Sequence, residues 1–189
     1  MIRTYSAKLA ITIATLHGWQ TPESDQMRYR CRIDFSPATS TAGAVAHGID
    51  CGRVLAAVDD CPEPSRLWLY IAYAEPAAEW VSDEGVFRLH DLLTLAVRER
   101  IPGLKVAADR LESLMLAAMG DKRWTGLGNP RLRPADYARK VGFPRQSWPN
   151  YRRVVQAAHD QIDDWEAVGL KRVAAVLDSR LPDIDAQQV

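Results

Sequence analysis

Apolar residues recur along this chain with two different periods, and the change from one to the other divides it. Near the N-terminus they alternate, at Tyr5, Ala7, Leu9, Ile11 and Ile13 and again at Met27, Tyr29, Cys31, Ile33 and Phe35. Period two is the signature of a strand with one buried face, so a small β-hairpin closed by the polar stretch His17 to Gln26 is one expectation. A helix from Ser6 to Leu16 competes for the first segment, because Leu9, Ile13 and Leu16 also fit helical spacing. Arg28, Arg30 and Arg32 stand between the apolar residues of the second segment and read as a solvated strand face or a second nucleic-acid surface.

Beyond residue 40 the period is helical. Ala42 to Val58 reads as a helix weakened by Gly43, Gly48 and Gly52. Pro64-Ser65 opens the run RLWLYIAYA, Arg66 to Ala74, which is apolar at nearly every position and predicts a buried helix, with a buried strand as the alternative. Ser82 followed by Asp83 and Glu84 is a helix start, and Val86, Leu89, Leu93 and Ala96 form one face up to the break at Pro102-Gly103. Ala107, Leu111, Leu114, Met115 and Ala118 form the next face, closed by Gly120. Asp121 to Pro130 contains Gly126, Gly128 and Pro130 and predicts a loop. A last long helix carries Val155, Ala158, Ile162 and Trp165, continues through Val173, Val176 and Leu177, and stops before Pro182, leaving DIDAQQV as a frayed tail. The expected fold is mainly α: a helical bundle with a C-terminal helix-turn-helix and, as an open alternative, the small N-terminal hairpin. Residues 1–60 are a segment of uncertain fold, 61–120 a central helical core, and 121–189 a helix-turn-helix region with its long C-terminal helix.

Composition excludes more than it selects. With 47% hydrophobic and 25% charged residues, 189 residues can bury a core, so disorder is not expected. No run of eighteen apolar residues and no convincing leader is present, which predicts a soluble cytoplasmic protein with no membrane partner. The three cysteines, Cys31, Cys51 and Cys61, have no zinc-site spacing and read as reduced core thiols. His17, His47, His90 and His159 are scattered singly and read as packed or solvated imidazoles. No nucleophile, base and orienting partner can be assembled, so no enzymatic role, cofactor or metal is expected.

Charge changes the picture. The net charge is zero, yet Leu55 to Asp91 holds eight acidic and two basic residues, and Asp121 to Arg153 holds nine basic and two acidic ones. A polyanion feels charge within a Debye length of about 8 Å in physiological salt, so the second stretch is its natural docking surface.

That stretch contains PADYARKVGFPRQSWPNYRR, Pro134 to Arg153. Pro134 starts a short helix bearing Tyr137, Ala138 and Val141, and the small Ala138 permits close helix approach. Gly142, four residues on, supplies the positive φ that a turn between crossed helices commonly needs. Phe143 is a buried turn residue, and Trp148, six residues past Gly142, plugs the core side of a second helix. The three spacings fit the helix-turn-helix template. Pro149 is discordant, since inside a helix it costs about 3 kcal/mol. The template therefore needs Ser147 as N-cap, with Pro149 in the first turn and Arg145 and Gln146 in the turn before it. Arg145, Gln146, Ser147, Asn150, Arg152 and Arg153 would face DNA, because Arg bridges guanine O6 and N7 while Gln or Asn bridges adenine N6 and N7. Arg133, Arg139 and Lys140 would clamp phosphates.

The segment ADYARKVGFPRQSWPNYRRVVQAAHDQIDDW, with RLWLYIAYAEPA upstream, resembles phage late-gene antitermination proteins of the Q type. The resemblance covers about a third of the chain. It implies a DNA-binding transcription regulator that attaches to RNA polymerase near a late promoter and lets it read through terminators. Arg145, Gln146, Asn150, Arg152 and Arg153 would be its DNA contacts, and the acidic, apolar centre its polymerase-facing surface. Some members carry paired Cys-x-x-Cys motifs in a zinc-bound insertion, and this chain has none. A DNA-packaging or recombination accessory protein using the same motif, or a helical module that binds no DNA, are the alternatives; oligomeric state is left open.

Overall fold

The computed structural model describes residues 6–16, 41–74 and 83–179. Among them the chain is mainly helical, with seven α-helices and no strand: α1 (Ala7–Leu16), α2 (Thr41–Asp59), α3 (Glu63–Tyr73), α4 (Asp83–Arg100), α5 (Ala108–Gly126), α6 (Pro134–Val141) and α7 (Trp148–Asp178). A single 3₁₀ turn, Arg145–Ser147, precedes α7. No helix of the described residues is long and apolar enough to cross a membrane. They fall into two compact units, one of residues 1–80 with 168–189 and one of residues 81–167.

In the first unit α1 packs against α2 and α3. Of the two alternatives for the first segment the helix forms, and Met27 to Phe35, the other arm of the hairpin, lie outside the described residues. The alternation was misleading because it passes over Ala10 and Ala14, which complete a helical stripe. Ala10, Ile11, Ile13 and Ala14 are all buried, a contiguous helical stripe that no one-faced strand provides. Thr12 Oγ1 donates to the carbonyl of Tyr73 at 2.9 Å, tying α1 to the end of α3. The apolar run from Arg66 is helical, with Pro64 in the first turn of α3, and it buries Trp68, Leu69 and Tyr70. Tyr70 donates to Asp59 Oδ1 at 2.8 Å, and burial pushes its phenol pKa up. Cys51 and Cys61 are buried, and burial raises the Cys61 thiol pKa. The end of α7 closes this unit. A Cβ at Gly169 would stand 2.6 Å from Leu69 Cδ1, so only glycine admits α3 this closely. Arg172 donates to both the carbonyl and the carboxylate of Asp60 at 2.7 Å.

In the second unit Leu89, Leu93 and Val97 form the buried stripe of α4, and Leu111, Leu114, Met115 and Ala118 that of α5. His90, buried on α4, places Nε2 3.1 Å from the carbonyl of Glu112 on α5. Gly120 does not end α5, as its sequence suggested, and Asp121 to Gly126 are helical rather than loop. A glycine inside a helix costs only about 1 kcal/mol, and Asp121 finds buried partners that hold the next turn in place. The stop comes at Gly128, whose φ of 82° lets its N–H return to the carbonyl of Thr125 at 2.9 Å. The second helix of the template and the long C-terminal helix are one element, the 31-residue α7.

Candidate nucleic-acid interface

The segment α6, turn and start of α7 is built from short-range rules. Pro134 takes the first position of α6, where its missing N–H is not needed. The Asp136 carboxylate accepts the Arg133 N–H at 3.1 Å, and that hydrogen bond, with the Arg133 side chain, holds its pKa below the usual carboxylate range. At the other end Gly142 adopts φ 76° and ψ 36°, and the N–H groups of Gly142 and Phe143 return to the carbonyl of Ala138 at 2.9 and 3.1 Å. The chain then turns through Pro144, whose carbonyl accepts the Ser147 N–H at 2.8 Å. Helix α7 begins at Trp148, so Pro149 is its second residue and breaks no helical hydrogen bond.

Aromatic side chains close the inner side. Tyr137 meets Trp148 with ring centroids 5.2 Å apart, and Phe143 meets Tyr151 at 4.5 Å, both tilted. Tyr137, Ala138, Phe143, Tyr151, Val154 and Val155 are buried.

Beneath them lies a polar cluster that sequence reasoning missed. Asp121, fully buried on α5, accepts the Leu132 N–H at 2.7 Å and the Tyr137 hydroxyl at 2.7 Å, and faces Arg131 Nε at 3.7 Å. The Arg131 guanidinium also donates to His159 Nδ1. Arginine has no acceptor, so Nδ1 must accept and the ring proton sits on Nε2, 3.1 Å from the Tyr137 oxygen that receives it. Every group of the cluster thus has a complementary partner. Burial, reinforced by the Arg131 charge, pulls the His159 pKa down to about 4, so the imidazole is neutral at physiological pH. Four successive segments, carrying Asp121, Arg131, Tyr137 and His159, meet here. No local pattern links them: Asp121 fell in a predicted loop, and His159 read as a packed or solvated imidazole. Two charges counted toward the basic stretch are spent internally: Arg131 in this cluster, and Lys122 against Asp163 on α7.

The outer side carries the nine expected contact residues. Arg133, Arg139, Lys140, Arg145, Gln146, Asn150, Arg152 and Arg153 are exposed and Ser147 is half-buried. Arg133 and Arg139 flank Asp136 at 3.4 and 3.7 Å, which partly offsets them. Arg145, Gln146 and Ser147 share the 3₁₀ turn. Arg152 and Arg153, on the first turns of α7, line an open groove of ≈ 670 Å³ together with Arg100, the last residue of α4. Lys140, Arg145, Arg152 and Arg153 have no acidic partner among the described residues. No cluster of metal-ligating side chains occurs among the described residues. The arrangement is an apolar, hydrogen-bonded back that fixes a short helix and a turn, and a front of cations and amides that can donate to phosphate and base edges.

No family model, curated protein or solved structure matches this chain.

Proposed function

We propose that the protein binds duplex DNA through a helix-turn-helix formed by α6, the turn at Gly142 and the first turns of α7, and acts as a transcription regulator. One observation carries the reading: Lys140, Arg145, Arg152 and Arg153 stand exposed, without acidic partners among the described residues, on the outer side of a segment whose inner side is sealed by aromatic packing. Unpaired surface cations lose little on meeting phosphate, because they surrender no ion pair to do so. The Arg145–Ser147 turn leads into α7 and sits at the end that such motifs insert in the major groove, with Asn150 following in the first helical turn.

Selection from a pool of random duplexes tests this. The wild-type chain should enrich a motif, and Arg145→Ala with Gln146→Ala should lose the enrichment while still binding DNA. Failure to enrich, or enrichment untouched by the double substitution, contradicts it. The activity proposed for the bound protein is antitermination with RNA polymerase as partner, which rests on the likeness in residue pattern to Q-type proteins. A run-off assay across a terminator should show increased read-through. DNA binding without read-through would favour a packaging or recombination accessory role.

A further inference from the structure

The groove beside the start of α7 contains a cation that belongs to neither helix of the motif. Arg100 ends α4, and with Arg152, Arg153 and Gln156 of α7 it lines one open trough whose apolar wall includes Ile101 and Pro149. Three arginines from two helices therefore line a single space. Arg100 is paired with Asp164, but that pair is superficial: its side chains are 37% and 62% exposed. A superficial ion pair contributes about 0–1 kcal/mol, so a phosphate can replace the carboxylate as partner. Asp160 lies at the same groove and is itself held by the Gln156 amide at 2.7 Å.

Resting on the DNA-binding reading above, we propose that this groove is a backbone clamp. Arg100, Arg152 and Arg153 would hold consecutive phosphates of the DNA strand flanking the bases read from the 3₁₀ turn and α7, and Asp164 would hold Arg100 in reserve. A sugar-phosphate strand fits this geometry better than a free nucleotide. The groove is open, no aromatic side chain lines it to stack a base, and its apolar wall suits a deoxyribose. The guanidinium is also the side chain best matched to phosphate oxygens, as a planar fork of donors.

The test is the salt dependence of duplex binding by the full chain carrying Arg100→Gln, Arg100→Lys or Asp164→Asn. Losing one phosphate contact should lower the steepness of log affinity against log salt by about 0.9 and weaken binding about fivefold at physiological salt. Arg100→Lys should restore most of the slope, which a merely structural loss would not do. Asp164→Asn, altering an exposed side chain, should strengthen binding about two- to threefold by releasing Arg100, and it carries the test alone if Arg100→Gln does not fold. Wild-type binding with the slope unchanged by Arg100→Gln, or unchanged or weakened by Asp164→Asn where that variant stands alone, overturns the clamp but leaves the helix-turn-helix reading intact. A wild-type chain that binds no duplex overturns both.

Discussion

The two compact units are held together by different physics. The first, around α1, α2 and α3, is closed by apolar stripes, by contact close enough to exclude a methyl group where Gly169 meets Leu69, and by isolated part-buried or exposed hydrogen bonds such as Tyr70 to Asp59. The second adds a buried hydrogen-bonded cluster in which Asp121, Arg131, Tyr137 and His159 join α5, the loop after it, α6 and α7. Apolar burial is non-directional and tolerates sliding, whereas a buried polar cluster is favourable only in one arrangement. A helix that merely packs can use the first kind of closure. A turn that presents Arg145 and Gln146 to base edges, as proposed, would gain from the second, because a directional anchor fixes α6 and the residues that follow it.

The sharpest break in this comparison is Asp121→Ala, which leaves the Leu132 N–H, the Tyr137 hydroxyl and the Arg131 charge without their partner. A loss of about 3–5 kcal/mol is expected in denaturant titration, with amide exchange accelerating first in α6. The pH dependence is next. The His159 pKa is about 4 when folded against an ordinary 6.5, so the folded state binds fewer protons between those values. Its contribution is complete above pH 6.5 and is lost as pH falls toward 4, on the order of 3 kcal/mol in all. A His159→Gln variant should flatten that part of the pH profile. For the first unit, Gly169→Ala should destabilise by about 1–2 kcal/mol, the overpacking exceeding the helix-propensity gain, and Leu69→Val in the same chain should return part of the loss. The smallest effect is Gly142→Ala, about 1 kcal/mol for a Cβ at φ 76°, read as a lowered denaturation midpoint.

Legibility in the sequence followed the range of the forces. Local signals worked: Pro134, Gly142, Phe143 and Pro149 mark a helix, a turn and a restart, and the turn falls where they put it. The expectation that α7 starts just after Ser147 rested on the proline alone and agrees with the structure. The Gly120 stop failed because glycine weakens a helix without ending it, and what carries α5 onward is Asp121 bonding to Leu132 and Tyr137, eleven and sixteen residues away. Arg100 could not be read as part of the candidate interface at all. It is separated from Arg152 by 52 positions, and no periodicity links the end of one helix to the face of another. Charge counting overstated the basic stretch for the same reason, since Arg131 and Lys122 have partners that only the tertiary fold supplies.

The central claim, that the outer side of α6 and α7 engages duplex DNA, is tested most directly by measuring wild-type affinity for a random-sequence duplex from low to physiological salt. With four to five phosphate contacts, log affinity should fall linearly with log salt at a slope of about −4. No binding at low salt, or a slope near zero, would contradict it.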